Sequence, residues 1–103
     1  MFKLTPKPTF KSTVELSVPG AKKVIPVEIE FKHFSRKQIK EFFDGLTDKT
    51  DTESLSEIVV GWSGFDLPFS AEALAELIDN YPTSSGEIFT AFRQDLLEAR
   101  KKT

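Results

Sequence analysis

From Thr9 to Val18 apolar and polar residues alternate. Phe10, Ser12, Val14, Leu16 and Val18 fall on one side, and Lys11, Thr13, Glu15 and Ser17 on the other. A period of two is that of a strand with one buried face. A second alternating run places Ile25, Val27, Ile29 and Phe31 inward and Glu28 and Glu30 outward. Between them "PGAKK" turns the chain, with Gly20 free to take a positive φ. Pro26 has no N–H to give to a ladder, so its N side is expected at an open edge. The two strands form an antiparallel hairpin, which is marginal in water until a helical layer covers its apolar face.

Beyond Phe34 the period changes to that of helices. Ser35 and Gln38 form a capping box before Ile39, Phe42, Phe43 and Leu46, spaced i, i+3, i+4 and i+7. After the polar loop "TDKTDTE", Thr50 and Glu53 offer a second box. Leu55, Ile58, Val59 and Trp62 then repeat the spacing and predict a second helix running through Trp62. Ser70 opens a third helix with Leu74, Leu77, Ile78 and Tyr81, stopped by Pro82. Ser84 with Glu87 is expected to cap a fourth, carrying Ile88, Phe89, Phe92 and Leu96 and ending in the cations of "EARKKT". The fold class is α+β, an N-terminal antiparallel hairpin followed by about four short helices. Residues 1–8, with two prolines and no periodicity, are expected to be an extended, mobile arm, and residues 9–103 a single domain.

The segment "VVGWSGFDLPFSAEAL" (Val59 to Leu74) holds the one Trp among glycines, a proline and two phenylalanines. It is expected to be a helix–helix elbow. Gly64 would be left-handed at the end of the second helix, with Phe65 closing a Schellman motif on Val60. Phe69 would staple onto Leu74 across the Ser70 N-cap, and Asp66, Leu67 and Pro68 would make the bend. The elbow-forming residues are thus Gly61, Gly64, Pro68 and Ser70. Gly61 needs its own reason inside a helix, where Gly costs about 1 kcal/mol relative to Ala. The reason is either close approach of another backbone or room for the indole. Trp62 is first a core residue on the stripe of Leu55, Ile58 and Val59; the alternative is a docking residue.

Composition sharpens the functional side. Ten phenylalanines crowd a chain of 103 residues, and Phe2 and Phe34 lie off the periodic faces. Aromatics left outside would form an apolar patch of the kind that marks a partner. The partner-binding candidates are therefore Trp62, Phe65, Phe69, Phe34 and Phe2. Net charge is −2, which argues against a nucleic-acid binder, but its distribution is lopsided. Residues 1–40 carry nine Lys or Arg against three acids, and residues 41–92 carry eleven acids against one Lys. Either two faces are separately solvated, or copies attract head to tail and build rings, spirals or filaments.

Candidate chemistry is thin. There is no cysteine, hence no disulfide and no thiolate metal site. No signal peptide or membrane-length apolar run is evident, which makes a cytoplasmic protein the simple reading. His33, the one histidine, has no metal-ligand spacing around it and suits a linker at the end of the hairpin. "GWSG" is not a nucleophile elbow, because its second glycine comes one residue early. Glu72 and Glu76 are an ordinary solvated pair. No catalytic, cofactor-binding or metal-binding residue is assigned, and an enzyme is not expected.

At the elbow the chain resembles the tail assembly chaperones of long-tailed bacteriophages. The likeness is carried by Val60, Trp62, Gly64, Phe65, the Pro68–Phe69–Ser70 step, Glu72, Leu74, Leu77 and Tyr81, with the hairpin matching in pattern. The resemblance implies a chaperone that coats and solubilises the tape measure protein in the host cell cytoplasm and is absent from the mature virion. It further implies homo-oligomers or a spiral assembly. A longer product of a −1 frameshift, for which Lys101–Lys102 could be encoded by an adenine-rich slippery run, would recruit the tail tube protein, although cations at a helix end need no frameshift. Neither membrane nor nucleic acid is an expected partner. The alternative is a small monomeric adaptor or inhibitor domain that binds one folded protein.

Overall fold

A computed structural model describes residues 1–98. The first two elements follow the alternation: β1 (Thr9–Ser17) and β2 (Val24–Lys32) pair antiparallel, with Val14 opposite Val27 and Phe10 opposite Phe31. Ser12, Val14, Leu16, Val27, Ile29 and Phe31 are buried on the inner face. Ile25, expected inward, is 46% exposed, because it lies toward the turn and borders an open groove. Gly20 has φ +82° in that turn.

The capping signals place the helices. In α1 (Arg36–Asp44) and α2 (Asp51–Ile58), Ser35 with Gln38 and Thr50 with Glu53 form reciprocal capping boxes as expected. A short 3-10 turn (Leu46–Asp48) joins them. The hydroxyl of Ser70 accepts from the Ala73 N–H at 3.0 Å and starts α3 (Ala71–Asn80). The last helix, α4 (Ser84–Leu97), packs along β1 on the inner face of the sheet.

One prediction is overturned. The second helix does not continue through Trp62: it stops at Ile58, and Val59–Ser63 form a third strand, β3. β3 adds antiparallel to the free side of β2, giving the order β1-β2-β3. The reason lies in a register shift. Val59 pairs with Phe31 and Gly61 with Glu30, so Val60 is an extra residue. Such a bulge turns both Val59 and Trp62 toward the inner face, although strict alternation would put them on opposite faces. Their i, i+3 spacing therefore imitates a helix. Two β-branched valines and a glycine are poor helix formers, and an unpaired strand edge was waiting beside them. β3 meets β2 only from Glu28 to Phe31, so that edge is unpaired beside Pro26, where the missing donor does no harm.

The capping box expected at Ser84 and Glu87 is also absent. Thr83 is the N-cap and its side chain makes no capping bond. Ser84 is fully buried, with its hydroxyl directed at the Leu77 carbonyl. Glu87 instead reaches the end of β1, accepting from the Ser17 backbone N–H at 3.1 Å and from the Ser17 hydroxyl. Two further hydroxyl–carboxylate bonds fasten α4: Ser12 of β1 to Asp95, and Ser85 to Asp51 of α2 at 2.8 Å. The cations expected at the end of the last helix, Arg100, Lys101 and Lys102, lie outside the described residues.

The core forms between α4 and the inner face of the sheet. Phe92 is fully buried, with the rings of Phe31, Phe34, Phe42 and Phe10 at 5.3, 5.9, 6.1 and 6.2 Å. Most pairs are tilted or edge-on, the arrangement aromatic quadrupoles favour. Phe92→Ala is expected to lower unfolding free energy by about 3–5 kcal/mol and Phe92→Leu by markedly less, measured by urea titration.

Candidate functional site

Three of the five aromatic candidates come together. Leaving β3, the chain turns at Gly64 (φ +95°) and wraps the indole of Trp62. Phe65 stacks on that indole with ring centroids 3.9 Å apart and planes 20° apart. Phe69 meets it edge-on at 5.2 Å. The indole N–H donates to the Leu67 carbonyl at 2.9 Å, so the ring organises the loop that surrounds it. The elbow exists, but it joins a strand to a helix. With no helix end at Gly64 there is no Schellman motif, and Phe65 packs on Trp62 rather than on Val60, which is exposed.

The glycines separate cleanly. A Cβ on Gly64 would stand 3.4 Å from both Cα and Cγ1 of Val27, in a backbone conformation that L-residues rarely adopt. Gly64 is required by its positive φ, since the contact with Val27 is itself of ordinary van der Waals length. Gly61 is not: a Cβ there would meet only the Glu30 carboxylate at 3.8 Å. Both reasons first considered for Gly61 belonged to a helix that does not form.

Trp62 itself is half-buried, opposite Ile29 at the margin of the core. One part of the ring packs against the core, as expected, and its margin lines an apolar groove of about 360 Å³. The far end of the hairpin forms one wall (Leu16, Val18, Ile25, Val27), the elbow a second (Phe65, Leu67), and α3 a third (Leu77, Tyr81). Ile25, Leu67 and Tyr81 remain 38–50% exposed around it. Asp66 and Glu76 are the only ionisable side chains on these walls besides Tyr81, among the described residues.

Phe34 and Phe2 are elsewhere. Phe34 packs edge-on against Phe42 and Phe92 in the aromatic cluster, at 5.7 and 5.9 Å. Phe2 is 90% exposed in the arm, which leaves the opposite end of the hairpin. There the His33 N–H donates to the Pro8 carbonyl at 2.8 Å, giving the lone histidine a backbone role at the root of the arm. The groove residues Ile25, Leu67 and Tyr81 were not among the docking candidates, because their meeting depends on the strand pairing of β3. Among the described residues, no group of three or more His, Cys, Asp or Glu is placed to hold a metal ion, and no helix is long and apolar enough to cross a membrane.

A small α+β scaffold whose sheet end, aromatic elbow and third helix wall an apolar groove has the shape of a docking domain. The chain belongs to the phage tail assembly chaperone family, whose family model matches residues 1–103. No match was found among curated proteins or among solved structures. Membership places the chain in the building of phage tails, with a tail protein as partner.

Gly64→Ala is expected to cost roughly 1–3 kcal/mol, whereas Gly61→Ala should stay within about 0.5 kcal/mol of the parent in urea unfolding. A marked stabilisation by Gly61→Ala, as helix propensity would require, would contradict the strand.

Proposed function

We propose that the protein is the chaperone of the tape measure protein. It coats and solubilises that long, largely helical partner in the host cytoplasm during tail morphogenesis and is absent from the finished virion. The observation that carries this reading is the apolar groove at the elbow, on a chain of the tail assembly chaperone family. A tape measure exposes repeated apolar stripes before a tube surrounds it, and such stripes need temporary cover. Trp62 and Phe65 give the groove a rigid aromatic wall, and the half-exposed Ile25, Leu67 and Tyr81 supply side chains that can adjust to unlike segments. Such a surface suits a client with many similar sites of modest affinity. Copies self-associate along the client, and a longer frameshifted form recruits the tail tube protein.

Co-expression tests this. The chaperone is expected to keep its phage's tape measure protein in the soluble fraction and to be missing from purified virions by mass spectrometry. Ile25→Lys with Leu67→Lys, both at exposed positions, should reduce the soluble tape measure protein several-fold while leaving the chaperone's own melting temperature within a few degrees of the parent. Abundant chaperone in mature particles, or an unchanged soluble yield with the double variant, would count against the reading.

A further inference from the structure

Beyond Met1, the most exposed large apolar side chains of the arm are Phe2 and Leu4, 90% and 95% exposed. They are spaced i, i+2, so an extended segment presents both on one side. Pro6 and Pro8 favour extended backbone at the base of the arm. Lys3 and Lys7 accompany them, and the arm contains no acid. The arm is thus an apolar, basic peptide outside the sheet and helices, with bends at Leu4–Thr5 and at Pro8.

The groove is its complement. Its walls are largely apolar, and its charged groups are the carboxylates of Asp66 and Glu76. Lys22 and Lys23 belong to the turn at the same end of the hairpin but do not line it. Lys3 and Lys7 of the arm are thus opposite in charge to Asp66 and Glu76 of the cleft.

Their placement decides whether one molecule could join them. The arm leaves β1 at Thr9, whereas the groove begins at Leu16, about 23 Å further along the strand. Phe2 is seven residues from Thr9, a reach of about 25 Å at full extension. To arrive in its own groove the arm would have to reverse at Pro8, whose carbonyl is held by His33, and then run fully taut. No such cost attends a neighbour's groove.

We infer that the arm Met1–Pro8 of one copy docks in the elbow groove of a second copy, Phe2 and Leu4 against its apolar walls and Lys3 and Lys7 toward Asp66 and Glu76. The contact joins unlike surfaces, so every series ends in one free arm and one free groove and grows head to tail. This rests on the reading that the groove receives apolar segments. It adds that a second copy covers the groove before a client does, so free chaperone is stored with its apolar surface hidden and client segments displace the arm.

Sedimentation velocity on the full chain without client tests it. The wild type is expected to grow with concentration, and to grow less as salt rises from about 0.05 M to about 0.5 M, because exposed charge pairs are screened. Phe2→Ser with Leu4→Ser, and separately Ile25→Lys with Leu67→Lys, should each weaken self-association at least about tenfold. Mixing the two variants leaves one good arm and one good groove, so a 1:1 dimer that grows no further is expected. A monomeric wild type at every concentration overturns the inference, as does an arm variant that assembles like the wild type or a mixture that stays monomeric. The arm variant alone suffices should the groove variant fold poorly. A wild type that stays monomeric yet keeps the tape measure protein soluble removes this inference and leaves the chaperone reading intact. Complementing variants with no effect of the chaperone on the tape measure protein would do the reverse.

Discussion

The molecule depends on α4 packing on the inner face of the hairpin. A two-stranded ribbon with one apolar face does not persist alone in water, and here Phe92 closes it by meeting rings from β1, β2, the hairpin exit and α1. Around this point Phe31, Ile29, Leu55, Ile58 and Ile88 are fully buried. The abundance of phenylalanine, which suggests a surplus for docking, is mostly absorbed in this cluster. Phe34 is the clearest case: off every periodic face in sequence, it fills the corner between Phe42 and Phe92.

Polar contacts then set the position of α4 on that core. Ser12 and Ser85 are buried hydroxyls whose donors find carboxylates on other elements, and Glu87 takes both the backbone and side-chain donors of Ser17. A buried hydroxyl without a partner costs free energy, so these bonds favour one placement of the helix over neighbouring ones. Glu87 matters most for the groove, because it anchors α4 to the last residue of β1, beside the wall formed by Leu16 and Val18.

The groove is a consequence of strand addition. Once β3 pairs with β2, Trp62 must face inward beside Ile29, and the chain must leave the sheet at Gly64 over Val27. The loop then closes around the indole and delivers Ser70 to start α3, which forms the remaining wall. Arm and groove end up at opposite ends of the hairpin because β1 is nine residues long and runs between them.

Much of this was legible in the chain because it is local. Alternation marked both strands and their inner faces, and Ser35–Gln38, Thr50–Glu53 and Ser70 marked three helix starts within one turn of chain. Gly64 announced a positive φ, and the run from Val60 to Tyr81 carried the likeness to the family that the whole chain matches. What local signals could not decide was the fate of Val59–Ser63. A bulge gives a strand the i, i+3 spacing of a helix, and only the unpaired edge of β2 distinguishes the two. For the same reason Glu87 suited an N-terminal cap until Ser17, seventy residues earlier, came within reach. Residue types and short spacings determine which elements can form; the partners that distant elements offer determine which of those possibilities is taken.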